Sequence, residues 1–188
     1  EKTIQIQPNN PSAHNNYGNI CKQLGEFEKA IASYNRAIEL KPDHPRAHHN
    51  LGNTYNQLGE YSKAITSFKR AYQYQPFNFE SLYNWSDLDN EILDLKLKKK
   101  INLIMKNKQL RKKDSAYGNF IFAKYELGKH NYEEEFNYLV KGHIDYFNSK
   151  KNFFEKGVNY WLKDLPKTKK LENISKKEIV NNAKPIFI

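Results

Sequence analysis

The feature that most constrains this chain is a gap-free period of 34 residues. In the frame 11–44, Gly18, Gly25, Phe27, Ala30, Tyr34, Ala37 and Pro42 fall at unit positions 8, 15, 17, 20, 24, 27 and 32. In the frame 45–78, Gly52, Gly59, Tyr61, Ala64, Phe68, Ala71 and Pro76 take the same seven positions. Leu51 and Tyr55 sit where the first unit has Tyr17 and Cys21. A fixed period of this length marks one helical unit stacked on copies of itself, because a single unit cannot bury its own apolar face.

The residue types fit two antiparallel helices per unit. Small residues at positions 8, 20 and 27 let helix axes approach, and aromatics at positions 11, 17 and 24 fill the space between them. Gly25 and Gly59 suit the left-handed turn that ends a first helix. Pro42 and Pro76 stop a second helix, and Pro11 and Pro45 suit the first turn of the next. The pattern predicts helices over 12–24, 28–41, 46–58 and 62–75. The small-aromatic-proline pattern of these units resembles the tetratricopeptide repeat (TPR), which implies an all-α, right-handed solenoid of antiparallel helix pairs.

Outside the two clean units the frame weakens. Pro8 falls at position 32 of a preceding unit, so residues 1–10 read as the end of a truncated repeat and the sequence as part of a longer protein. Residues 79–113 read as an irregular helical pair, with Leu82 and Trp85 apolar on its first helix and Leu93, Leu97, Ile101 and Ile104 on one face of its second. Residues 114–150 read as a degenerate repeat, with helices over 115–128 and 131–149. There Phe122, Ala123, Tyr132 and Leu139 recover the spacing, Glu135 replaces the small residue at position 20, and Gly142 takes position 27. Residues 151–184 read as a lysine-rich connector with one helix over 153–163. Residues 185–188, Pro-Ile-Phe-Ile, read as the start of a buried strand.

The candidate site is a ladder of primary amides. Asn16, Asn50 and Asn84 share position 6, and Asn19 and Asn53 lie three residues on, along the same helix face. An amide can donate to a peptide carbonyl and accept from a peptide N–H together, which suits an extended chain whose side chains vary. The array resembles the asparagine ladder of O-GlcNAc transferases, whose TPR superhelix grips extended polypeptide. The implied partner is a protein or peptide in the concave groove.

The formal charge is +10. It is local, since residues 95–113 hold nine Lys and Arg and no acid, and outside them 22 basic residues face 21 acidic ones. A basic stretch can attract phosphate or acidic polypeptide. No RNA-binding aromatic motif is interleaved with it, so nucleic acid is not expected. Lysine-rich composition also accompanies Asn, Ile, Phe and Tyr, the residues of AT-rich codons, and a solvated helix face is the expected reading of the stretch. No apolar run approaches the ~20 residues that span a bilayer, so no membrane partner is expected. The one cysteine, Cys21, fits a reducing, cytoplasmic setting and sits at a core position with no base beside it. His14 and His48 occupy the packing position 4, and His44, next to Pro45, does not share a helix face with His48, so packing is expected rather than metal binding. Trp85 and Trp161 read as core. No phosphate loop, zinc motif or nucleophile elbow occurs, so no catalytic residue, metal or cofactor is assigned to these residues.

The order of segments resembles bacterial TPR-containing sulfotransferases. In that family tandem TPR units pass to a looser helical pair, here Tyr117 to Lys150, then a divergent connector, then a catalytic domain opening on a Pro-Ile-Phe-Ile type strand. The resemblance implies an α/β domain after Ile188 that uses the sulfonate donor PAPS, with this chain as its substrate-binding arm. The alternative is a non-enzymatic TPR adaptor.

Overall fold

The computed structural model describes residues 8–107 and 109–164, with side chains through Lys151. Among them lie eight α-helices, one 3-10 turn and no strand. Helices α1 (Pro11–Gln23) and α2 (Phe27–Leu40) form the first pair, and α3 (Pro45–Gln57) and α4 (Tyr61–Tyr74) the second. Then come α5 (Phe79–Leu88), a 3-10 turn (Asn90–Ile92), α6 (Leu95–Met105), α7 (Lys112–Leu127) and α8 (Tyr132–Asp164). Residues up to Ser149 form one compact unit, and a second begins at Lys150.

The first helices of successive units start at the same joint. Asn10, Asn78 and, between them, His44 recur every 34 residues, each placed just before its helix. Asn10 Oδ1 accepts from the backbone of Ser12 at 3.0 Å and Ala13 at 3.2 Å. His44 Nδ1 accepts from Ala47 N at 3.2 Å, and Asn78 Oδ1 from Ser81 N at 3.2 Å. Each side chain satisfies amides that the first turn leaves unpaired. Gly25 and Gly59 both adopt φ +76°, the left-handed turn between paired helices.

Packing depends on a small residue facing a large one. A Cβ on Gly18 would lie 2.6 Å from the Tyr34 ring, and one on Gly52 2.7 Å from the Phe68 ring. Tyr34, Phe68 and the alanines at positions 20 and 27 (Ala30, Ala64, Ala37, Ala71) are fully buried. Cys21 is buried beside them. Burial, which penalises the phenolate, pushes the Tyr34 phenol up to about 12. Phe79, Leu82, Ile101, Ile121 and Phe122 continue the core into α5–α7.

The third and fourth pairs keep the principle and lose the detail. α7 and α8 run antiparallel: Phe122 meets Tyr138 at 5.2 Å and Phe120 meets His143 at 5.1 Å between ring centroids. Ser115 donates to Asp145 at 2.6 Å. Gly142 lies against the Phe120 ring, as its position in the frame suggests. One expectation is corrected: residues 153–163 do not make a separate helix but belong to the 33-residue α8, which begins at Tyr132. Glu133, Glu134 and Glu135 in its first turn favour the start, and no glycine or proline interrupts the chain between Gly142 and Asp164 except Gly157. The strand expected at 185–188 lies outside the described residues, as does most of the truncated repeat at 1–10.

Candidate functional site

The first helices α1, α3, α5 and α7 line one continuous groove with their N-terminal parts. A polar pocket of about 380 Å³ occupies it. Asn15, Asn16 and Asn19 come from α1, Arg46, His49 and Asn50 from α3, Asn78 and Glu80 from the start of α5, and Arg111, Lys113 and Asp114 from the start of α7. Of the five expected residues, Asn16, Asn19 and Asn50 line this pocket; Asn53 and Asn84 do not.

Those two amides instead brace the groove wall. Asn84 Nδ2 donates to Asn53 Oδ1 at 2.9 Å, linking α5 to α3. With its oxygen so engaged, Asn53 turns Nδ2 to His49 Nε2 at 2.9 Å. That nitrogen therefore accepts, the other ring nitrogen carries the proton, and His49 Nδ1 donates to Ser81 Oγ at 2.8 Å. All donors along Asn84, Asn53, His49 and Ser81 point one way, a directed chain that crosses between repeats twice. A parallel link joins the first two units: Asn50 Nδ2 donates to the buried Asn15 Oδ1 at 2.9 Å. Asn15 in turn reaches Asn16 Oδ1 at 3.4 Å, and Tyr34 donates its hydroxyl to Asn19 Oδ1 at 2.8 Å.

The amides thus divide their valences. Asn50 gives one N–H to Asn15 and keeps its second N–H and its carbonyl for the groove. Asn16 keeps its NH₂ group. Bracing fixes the direction in which those groups face, which removes rotamer freedom before any ligand arrives.

Charge in the groove is mostly compensated internally. Lys113 donates to Glu80 at 2.7 Å, and Tyr117 donates to the same carboxylate at 3.2 Å. Burial works to raise the Glu80 carboxyl, but the hydrogen bond and charge of Lys113, with the Tyr117 hydroxyl, outweigh it and hold it below the ordinary carboxylate range. Burial raises the Tyr117 phenol, and the adjacent Glu80 adds to that. Arg111 grips Asp114 through Nε at 2.6 Å and Nη2 at 3.0 Å. Arg46 makes no ion pair among the described residues. Burial lowers the His49 imidazole, consistent with the neutral ring that the hydrogen bonds require.

The other residues weighed from sequence hold structure. His14 and His48 each bond through Nε2 to a proline carbonyl six residues back, Pro8 and Pro42, both at 2.8 Å. His48 also stacks on Tyr74 with centroids 5.5 Å apart. Among the described residues no group of His, Cys, Asp and Glu could hold a metal ion, and no helix is long and apolar enough to cross a membrane. The side chain of Trp161 lies outside the described residues. PAPS, implied by the sulfotransferase resemblance, has no residue assigned to it in this chain, and no chemistry is derived through it.

Sequence reasoning did not single out Asn15, Glu80, Lys113 or Tyr117. Asn15 shares position 5 with His49, and Glu80 shares position 2 with Arg46, so reading those two columns points to two of the four. Lys113 and Tyr117 lie past the end of the clean frame, where no column predicts them.

Comparison with known proteins agrees with this architecture. Residues 45–78 and 1–32 match the family described as tetratricopeptide repeat, and residues 18–59 match the one described as TPR repeat. No curated protein matches the chain in sequence. Among solved structures, YrrB, a TPR protein with an unusual peptide-binding site, superposes with a TM-score of 0.56 at 20% identity, covering 88% of this chain and 84% of its own. MamA superposes with a TM-score of 0.53 at 18% identity, covering 80% of this chain and 86% of its own. Identities at this level speak to fold. Residues 1–78 are tetratricopeptide repeats, and the chain carries their helical solenoid onward into α7 and α8.

Proposed function

We propose that this chain is a protein-binding scaffold that holds an extended polypeptide along the groove of α1, α3, α5 and α7. The observation that carries this reading is the pair of braced amides Asn16 and Asn50, which turn unused donors and an acceptor into a polar pocket at the same position of successive repeats. Such groups recognise backbone, which every peptide offers. Its acids are already engaged by basic partners, Glu80 by Lys113 and Asp114 by Arg111, which leaves the amides and Arg46 as the groups open to a ligand. YrrB, which shares the fold, is described as having a peptide-binding site and lends support to the class of ligand.

The test is selection from a random peptide display library on the full chain, followed by titration of the selected peptide against Asn16→Ala/Asn50→Ala. Each lost hydrogen bond costs about 0.5–1.5 kcal/mol, so the pair should weaken binding about 5- to 150-fold. Unchanged affinity in a folded double variant removes the amides from the site.

A finer reading follows from the order of segments: the groove presents an acceptor polypeptide to a PAPS-dependent sulfotransferase domain. The coding sequence past Ile188 tests it. A glycine-containing turn bearing Arg, Ser or Thr within about ten residues supports it, as a strand–loop–helix junction places backbone N–H groups for a phosphate. Further repeats, or a stop, favour the non-enzymatic adaptor.

A further inference from the structure

A second pocket lies between α4, α5 and α6 and shares no residue with the groove. It measures about 240 Å³, below the ~300–1,000 Å³ of cavities that take drug-sized ligands and about right for one large side chain. Tyr72, Leu82, Trp85 and Leu97 wall it, and Lys96 and Lys100 stand at its rim. Asp94, also at the rim, is engaged in capping α6 through Leu97 N at 2.6 Å.

Two independent observations make this more than a dimple. The first is polar. Tyr72 Oη and Trp85 Nε1 are closed to water and have no hydrogen-bond partner, the only such side-chain atoms among the described residues. Both belong to walls of this one pocket. Native folds leave few buried donors unpaired, and each one asks for an acceptor. The second is electrostatic. Within the basic stretch, Lys98, Arg111, Lys112 and Lys113 each pair with an acid: Glu126, Asp114, Asp145 and Glu80. Lys96, Lys99, Lys100 and Lys106 pair with no acid among the described residues, and all four are exposed. At 100° per residue they share the outer arc of α6 with Leu95 and Leu103, which are 55% and 71% exposed. That arc begins at the pocket rim, where the Lys100 ammonium sits 5.1 Å from the Tyr72 ring centre.

From this placement we infer that the α4–α6 pocket and the outer face of α6 together bind an acidic peptide segment, which seats one bulky apolar side chain in the pocket. The lysines meet its carboxylates, Leu95 and Leu103 lie against its apolar atoms, and a small turn of the Tyr72 or Trp85 ring gives its donor to a peptide carbonyl. A buried Tyr and a half-buried Trp beside a charged rim make the composition of an interface anchor point.

The experiment uses the full chain and a fluorescein-labelled ten-residue peptide of Asp and Glu with one central Phe, read by anisotropy. Two further peptides replace the Phe by Ala, or the acids by Asn and Gln. Lys96→Glu/Lys100→Glu, both exposed, tests the rim, and Asn16→Ala/Asn50→Ala keeps the groove apart from it. The parent should bind the Phe peptide; either peptide change and the lysine reversal should each weaken it at least about tenfold, while the groove variant binds as the parent does. With Trp161→Phe, Trp85 is the sole tryptophan and its emission should shift on binding; if that variant does not fold, anisotropy in the parent still decides. Equal binding after lysine reversal, equal binding of the Ala peptide, loss of binding in the groove variant, or lysine-dependent binding only to phosphatidylserine vesicles overturns the inference.

Discussion

Gly52→Ala puts a methyl group where the structure has none to spare. The added Cβ would lie 2.7 Å from both Cδ1 and Cε1 of Phe68 and 3.2 Å from its Cγ. Phe68 is fully buried and cannot swing away without opening the core. Overpacking of this kind costs about 1–3 kcal/mol. Against it stands the helix preference of Ala over Gly, worth about 1 kcal/mol in mid-helix. The variant should therefore lose roughly 0–2 kcal/mol. The sharper test is the background dependence. In Phe68→Leu the shorter, more mobile side chain can withdraw, so adding Gly52→Ala should be neutral or gain up to about 1 kcal/mol. Gly59→Ala serves as the contrast: nothing lies within 4 Å of its added Cβ, but its φ of +76° should cost about 1–2 kcal/mol in either background. Urea unfolding followed by far-ultraviolet circular dichroism gives the six stabilities. A Gly52→Ala effect that is stabilising in the parent, or identical in both backgrounds, refutes the contact as the reason for glycine at position 8.

Other perturbations have equally definite signs. His44, His48 and His49 all have imidazoles lowered by burial, so the fold is stabilised above the ordinary value near ~6.5 and loses that stability as pH falls through the folded values; the melting temperature should drop below about pH 6.5, and less so in His49→Asn. Tyr34, held at about 12, acts at the other end: its contribution is complete below the unfolded value of ~10 and is lost as pH rises toward 12, so Tyr34→Phe should flatten part of the alkaline fall in stability seen by denaturant titration. Asn84→Ala removes the donor to Asn53 and should cost about 0.5–1.5 kcal/mol in urea unfolding, while Asn16→Ala, exposed on the groove side, should change stability by less than about 0.5 kcal/mol.

The periodic part of the fold was legible almost to the residue. Each of the four expected helices starts one residue earlier than expected, because Pro11 and Pro45 open their helices as the first helical residue and Phe27 and Tyr61 follow the glycine turn more closely. Gly18 and Gly52 announced close packing, and the partner rings prove to be the position-24 aromatics. Beyond residue 78 legibility falls with the frame. In the turn before α8 the residue with positive φ is His130, at 59°, while Gly128 stays in the right-handed region. The continuity of α8 past residue 150 was hidden by lysine-rich composition, which reads as connector or helix alike. The groove was legible as a face but not as a network: position 6 located Asn16 and Asn50, whereas the bonds Asn50–Asn15 and Asn84–Asn53 join different columns of neighbouring units, an offset that stacking sets and a sequence frame does not contain. The basic stretch looked uniform, and only the fold separates the charges with acidic partners from those on the outer arc of α6.

The recurring joint at Asn10, His44 and Asn78 bears on how such a chain can change in length. Every splice made there cuts between the same two local geometries: a side-chain cap before it and a first helical turn after it. A gene duplication that copies residues 45–78 in frame would hand each new boundary the cap that the old one had, and would add a rung to the groove without rewriting its neighbours. An insertion of any other length would separate cap from helix. Natural variation in array length should therefore come in whole steps of 34 residues, with breakpoints near these caps.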